Sequence, residues 1–350
     1  MGVLFNKGYS RKDLLRKIGN ISQAGGTRCV ELQEGPERGV RAIDFDTGTG
    51  FRFTVLPDRA MDVFSASHCG RSLCWHSPSG PVAPQYNDPR GLGWLWTFPG
   101  GLVTTCGLTQ VGGPCNDNGE ALGLHGRVST IPAANVCHGT RWEGDDCILF
   151  AEGTVAEARI FGSQIRLSRR ITAKLGENRF FIRDVVENIG YDPCPHMILY
   201  HCNIGYPVLD AGAMLVSPTK SVRPLNDVTA NDMEYSKFSG PVPNYSERVY
   251  DHTLQPGTNG SVRVALVNET FDNGPGRPAG LGVYVQFKLS QLPRFTQWKM
   301  LGEGAYVVGM EPGNCSVLGR AAAREAGELV TLRPQETREY DLEIGVERGA

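Results

Sequence analysis

The chain has 350 residues, 40% of them hydrophobic and 21% charged, which is ample material for a water-soluble core. A formal net charge of −2 without any lysine or arginine block argues against nucleic acid and anionic membrane as partners. No apolar run reaches the length of about 18 residues needed for a spanning helix.

In chain order, the N-terminal segment lacks the apolar core and small-residue cleavage site of a secretory signal, so a cytoplasmic location is expected. The ten cysteines contain no C-x-x-C pair and are read as reduced, mostly structural thiols. Ser10-Arg11-Lys12-Asp13 fits a capping box and predicts a short helix through Ile18. Short alternating runs then recur, among them 40–45, 50–56, 129–131, 147–155, 163–173, 179–187, 197–203, 281–288 and 304–311. Turn formers separate them, within a total of 44 Gly and 22 Pro. Many strands, few helices and no βαβ rhythm predict an all-β, mainly antiparallel fold of two large packed sheets, with 1–350 forming one domain. Residues 219–243 show little periodicity and are expected to form a long loop near the functional site.

Within the glycine-rich stretch 91–113, Gly91-Leu92-Gly93 fails the dinucleotide fingerprint because Trp96 stands where a third glycine is required. Trp94, Trp96 and Phe98 instead suit a wall on which the C–H faces of a sugar pack, or else they fill one end of the sandwich. The stretch PHMILYHCNIGYP, from Pro195 to Pro207, reads as a buried strand. Met197, Leu199, His201 and Asn203 fall on one face, and Ile198, Tyr200 and Cys202 on the other. A histidine there requires partners, either a core carbonyl or a ligand. Two distant segments, LGLHGR (122–127) and AYVVGMEPGN (305–314), likewise set one titratable residue among apolar residues and glycines.

His125 in LGLHGR, His201 in LYHCNIGYP and Glu311 in GMEPGN follow the order and approximate spacing of the aldose 1-epimerases, the galactose mutarotase-like proteins. LPDRAMDV, TTCGLTQVGGP and WKMLGEGAYVVGMEPGN further resemble the divergent DUF4432 branch of that group, over roughly residues 15 to 346. The resemblance implies a β-supersandwich with a few short helices and a cofactor-free site for a small carbohydrate. It assigns Glu311 as general base, His201 as general acid and His125 as a hydrogen-bonding assistant, with acid and base on opposite sides of the sugar. The family's acidic residue in an Asp-His pair corresponds to Asp251-His252 in ERVYDHTL. Arg127, where the family carries a second glycine after the histidine, and Arg59 with Asp62 are candidates for binding an anionic substituent.

Mutarotation needs one base for the anomeric hydroxyl and one acid for the ring oxygen, so a carboxylate and an imidazole suffice. Lys299 is a candidate for neutralising an acid group on the substrate, and Trp94 for stacking. Trp298 alternates to the opposite face from Lys299, so the two cannot both meet one ligand in a regular strand. Two other readings stand beside this one. His125, His201, His252 and Glu311 could hold a divalent metal for a keto-sugar isomerase or epimerase. Alternatively, the fold binds carbohydrate without catalysis. The oligomeric state, a homo-oligomer included, is left open.

Overall fold

Side chains that alternate along the sequence alternate in space. In the strand Gln164–Lys174, Ile165, Leu167, Ile171 and Ala173 point inward while Gln164, Arg166, Ser168, Arg170 and Thr172 face outward. The computed structural model describes residues 2–4, 7–274 and 279–347. Among them, eight antiparallel strands form one sheet in the order Ala134–Glu143, Asp146–Ala158, Gln164–Lys174, Arg179–Asn188, Thr337–Glu347, Leu281–Lys288, Ser261–Asn268 and Met214–Val216. A second sheet runs Thr219–Pro224, Arg248–Leu254, Arg294–Leu301, Tyr306–Gly313 and Cys194–Ile204. On the far side of Cys194–Ile204, Val330–Leu332 pairs with its start and Thr104–Leu108 with its middle. A five-stranded meander, from Gly26–Glu31 to Arg71–Ser72, packs Phe51 and Phe53 against Phe180 of the eight-stranded sheet, with Phe45 stacked on Phe53.

The fold is therefore all-β and antiparallel, with three short α-helices among the described residues. The first covers Arg11–Leu15, where the Ser10 hydroxyl accepts from the Asp13 amide at 3.1 Å and donates to its carboxylate at 2.6 Å. It stops before Ile18, after burying Leu14. Residues expected as a strand at 129–131 instead overlap a tight 3-10 turn, Val128–Thr130. The first part of 219–243 is a strand, Thr219–Pro224. Thr104–Leu108 was not foreseen because all five residues are buried, which erases the alternating signal. No helix among the described residues is long and apolar enough to cross a membrane, and all ten cysteines are free thiols.

One inward position breaks the apolar rule. Arg169 is fully buried, and its guanidinium bonds Asp184 at 2.7 and 2.9 Å, Asp62 at 2.8 Å, the Thr105 hydroxyl at 2.8 Å and the Ala60 carbonyl at 3.2 Å. Tyr200 donates to Asp184 at 2.7 Å, and Asp62 accepts from the Thr105 amide and hydroxyl at 2.9 and 2.6 Å. The cluster thus ties the eight-stranded sheet to the strands that carry Asp62, Thr105 and Tyr200. Burial pushes the Asp62 carboxyl upward, and Arg169 pulls it back.

Arg169→Met leaves two buried carboxylates without their cation, and we expect a loss of about 3–5 kcal/mol in urea unfolding. Tyr200→Phe, which removes one charge-assisted hydrogen bond, should cost about 1.5–3 kcal/mol.

Candidate functional site

The second sheet brings two buried titratable side chains into contact. Register pairs Leu199 with Gly313 and Cys202 with Met310, which sets His201 opposite Glu311 on neighbouring strands. His201 Nε2 and Glu311 Oε1 are 3.1 Å apart. No hydrogen bond forms between them, and His201 Nδ1 and Glu311 Oε1 are buried without a hydrogen-bond partner. The acid and base were expected on opposite sides of a sugar; cross-strand register makes them adjacent instead. Glycine permits the contact. The Glu311 carboxyl folds back over Gly309, where a Cβ would stand 2.4 Å from Oε1 and 3.0 Å from the Trp298 Cβ.

Four rings surround the imidazole of His201: Phe98 at 5.3 Å, Trp298 at 5.5 Å, His125 at 5.8 Å and Trp94 at 6.5 Å between centroids. That apolar cage disfavours a cation. Burial first, and then repulsion from His125, lowers the His201 pKa to about 3. Burial also raises Glu311 well above the ordinary carboxylate range, with Glu247 adding to the effect. Both shifts favour the uncharged forms of the pair.

His125 lies in a loop with φ near +56°, followed by Gly126 at +76°. A Cβ on Gly126 would meet the Gly107 and Gln110 carbonyls at 2.4 and 2.5 Å, which accounts for the His-Gly pair. The His125 amide donates to the Gly112 carbonyl at 2.9 Å, and the Gly112 amide donates to His125 Nδ1 at 3.4 Å. Nδ1 is therefore the acceptor and Nε2 carries the hydrogen. Burial lowers this imidazole to about 4. Trp94, on the 3-10 turn Gly93–Trp96, stacks on Phe98 at 4.2 Å and donates to the Ser129 hydroxyl at 3.2 Å.

These side chains line one cavity of about 860 Å³, together with Trp75, Trp96, Trp298, Phe98 and Glu247. The other residues singled out in the sequence lie elsewhere. Arg59 is buried and donates to the carbonyls of Val82 at 2.8 Å and Thr97 at 2.6 Å, so it braces the turn that holds Trp94. Asp62 belongs to the Arg169 cluster. Arg127 is exposed and borders a separate groove with Glu120 and Arg159. Asp251 shares the sheet face of Glu311 but stands two strands away, across Thr296, held by Arg223 at 2.7 Å and Arg294 at 3.9 Å.

His252 and Lys299 are on the opposite face. His252 bonds Thr219 and Gln297 at 3.0 Å each, and burial lowers it to about 4. Lys299 donates to the carbonyls of Glu234 at 2.5 Å and Lys237 at 3.0 Å. Gln297 donates to the Tyr235 carbonyl at 2.8 Å, and Tyr250 to that of Asp232 at 2.8 Å. The segment after Thr219–Pro224 is therefore fastened behind the sheet rather than beside the site. With His252 turned away, the set His125, His201, His252 and Glu311 does not converge. Among the described residues no group of three or more His, Cys, Asp or Glu is placed to hold a metal ion.

Sequence reasoning missed Trp75 and Glu247. Glu247 opens ERVYDHTL and accepts from Trp298 Nε1 at 2.8 Å, but nothing in its local pattern distinguishes it from a solvated turn residue. Trp298 was recoverable, since its phase opposes that of Lys299. No lysine or arginine lines the cavity, so the expected guanidinium site for an anionic substituent is not present there.

Residues 37–346 match a family described as a domain of unknown function, DUF4432. Among solved structures, a candidate aldose 1-epimerase from Klebsiella pneumoniae shares 24% identity over 93% of this chain and 88% of its own, with a TM-score of 0.85. A galactose mutarotase-like protein from Clostridium acetobutylicum shares 11% identity over 93% and 99% of the two chains, with a TM-score of 0.57. Galactose 1-epimerase from Lactobacillus acidophilus shares 12% over 93% and 100%, with a TM-score of 0.54. These likenesses establish a galactose mutarotase-like fold. No curated protein matches the chain.

The Gly309 contact can be tested directly. In a crystal structure of Gly309→Ala, the new methyl should leave both strands in register and move the Glu311 carboxyl off His201, because the clashing atom is the far end of a flexible side chain. An unmoved carboxyl would show that the glycine does not set its position.

Proposed function

The chain belongs to the DUF4432 family, and on that premise we propose that it interconverts the anomers of a neutral reducing sugar, with Glu311 and His201 as one acid–base unit. A single observation carries this reading. A carboxyl oxygen and an imidazole nitrogen lie buried without hydrogen-bond partners, on side chains that touch each other and line an aromatic cavity. Unsatisfied buried polar groups are costly, so such a pair is suited to a ligand that bonds to both. The likeness to galactose mutarotase-like proteins, one of them named a galactose 1-epimerase, supports a sugar as that ligand.

The ring oxygen and the anomeric oxygen are bonded to the same carbon, so two side chains standing next to each other reach both. Starting from the uncharged pair, the Glu311 carboxylic acid gives its proton to the ring oxygen while His201 takes the proton of the anomeric hydroxyl. The C1–ring oxygen bond breaks and the C1 carbonyl forms. Rotation about C1–C2 follows, and closure on the other carbonyl face returns each proton to its origin. Acid and base thus exchange roles between opening and closing, and the assignment of Glu311 as base and His201 as acid describes the closing half. His125 Nε2–H supplies a hydrogen bond to a neighbouring oxygen, and Trp94 and Phe98 offer apolar faces to the ring. Uncatalysed ring opening is slow but accessible, so a modest reduction of the barrier is enough.

Glu311→Gln and His201→Asn should each reduce anomer exchange about 10²–10⁴-fold, measured by polarimetry or NMR saturation exchange. Retained sugar binding alongside no exchange in the unaltered protein would replace the enzyme by a carbohydrate-binding protein.

The pair is active with one proton between its two members. Protonating His201 removes the base, so kcat/KM should fall as the pH drops through about 3. Ionising Glu311 removes the acid, so the rate should also fall as the pH rises through a value above the ordinary 4.5. An acid limb in the ordinary histidine range would contradict the caged imidazole.

A further inference from the structure

The cavity is larger than the reaction needs. Its volume of about 860 Å³ is several times that of one pyranose ring and lies in the range of about 300–1,000 Å³ typical of whole ligand sites. A single sugar at His201 and Glu311 occupies the inner part, beside Trp94, which is only 4% exposed. At the mouth the same short turn presents a second tryptophan. Trp96 is 80% exposed, and Leu92 and Leu95, also lining the cavity, are 59% and 54% exposed. Isolated apolar residues on a surface need no explanation, but a contiguous group at the mouth of a cavity marks a contact site.

The turn that carries this group is rigid. The Thr97 carbonyl is held by Arg59 at 2.6 Å and the Thr97 amide by the Trp94 carbonyl at 3.1 Å. Gly93 packs so closely on the chain that a Cβ there would stand 2.3 Å from the Asp88 carbonyl oxygen. An exposed indole on a braced turn offers a flat apolar face. Hydrogen-bond acceptors also line the cavity: the Glu247 carboxylate, which accepts from Trp298 Nε1, and the oxygens of Ser77 and Ser79, whose hydroxyls donate to the Phe98 carbonyl. An apolar face together with hydroxyl-binding groups matches a sugar ring and not a purely apolar chain.

We propose that the mouth of the cavity is a second saccharide subsite, with Trp96 as its platform, and that the substrates are neutral reducing disaccharides or longer saccharides. Their reducing-end ring sits at His201 and Glu311, and the next ring stacks on Trp96. This assignment rests on the sugar reading of the inner site, but binding and turnover test it separately.

Calorimetric affinities and NMR anomer exchange would be measured for glucose and galactose against maltose, cellobiose and lactose, on the unaltered protein, Trp96→Ala and Trp96→Phe. At least one disaccharide should bind about tenfold more tightly than its component monosaccharides. Trp96→Ala should abolish that advantage without changing monosaccharide affinity, and Trp96→Phe should keep most of it. Because Trp96 is largely exposed, its replacement leaves the core intact. Disaccharide binding sensitive to Trp96 but without anomer exchange would uphold the subsite and overturn mutarotation. Exchange of monosaccharides with no preference for any disaccharide would uphold mutarotation and overturn the subsite. An equal loss for both sugar classes in Trp96→Ala, or no binding of any saccharide, would also overturn it.

Discussion

The guanidinium of Arg169 sits where three sheets meet, and its neighbours are arranged to satisfy it. A buried ion pair gains little over apolar packing, since desolvation offsets most of the attraction. It does impose geometry. Asp62, Thr105, Asp184 and Tyr200 come from four different strands, and each reaches the cluster in one register only. A shift of one residue in any of these strands would turn its polar side chain to the wrong face and leave charge uncompensated. The cluster therefore fixes the strand Cys194–Ile204 through Tyr200, and so fixes where the next residue, His201, points.

The two faces of that strand differ in their electrostatic state. On the core side Arg169 is paired with Asp62 and Asp184, and the hydroxyls of Tyr200 and Thr105 are hydrogen-bonded to those carboxylates. On the cavity side burial favours the uncharged forms of His125, His201 and Glu311, because aromatic rings replace water around them and no lysine or arginine lines the cavity. Rigidity on one face and unsatisfied bonding capacity on the other meet one peptide unit apart. A preorganised site requires that combination: fixed groups whose best partners are yet to arrive.

Much of this was legible in the sequence. The alternation in PHMILYHCNIGYP separates His201 from Tyr200, and the chain folds with Met197 and Leu199 in the apolar cluster of Trp94 and Phe98, and Ile198, Tyr200 and Cys202 in the main core. The phase of 164–174 and 179–188 already places Arg169 and Asp184 inward, so a buried ion pair could have been read from two adjacent alternating strands. What could not be read was tertiary. Arg59, Asp251, His252 and Lys299 carry suitable chemistry near suitable motifs, but their partners lie far away in sequence: the Thr97 carbonyl, Arg223, Thr219 and the carbonyls of residues 234 and 237. Glu247 enters the cavity from the irregular segment before Arg248–Leu254, where no periodicity announces direction.

The cross-strand placement of His201 and Glu311 separates two kinds of inheritance. The buried pair is written in hydrogen-bond register, which tolerates neither insertion nor deletion, whereas Leu92, Leu95 and Trp96 are written in a turn, which tolerates both. Lengthening that turn would reshape the mouth of the cavity and leave the buried pair in place. One added residue in Tyr306–Gly313 would carry Glu311 to the back of the sheet, among the carbonyls that Lys299 and Gln297 now hold. A lineage built on this scaffold is thus free to vary the mouth of its cavity and bound to keep Glu311 beside His201.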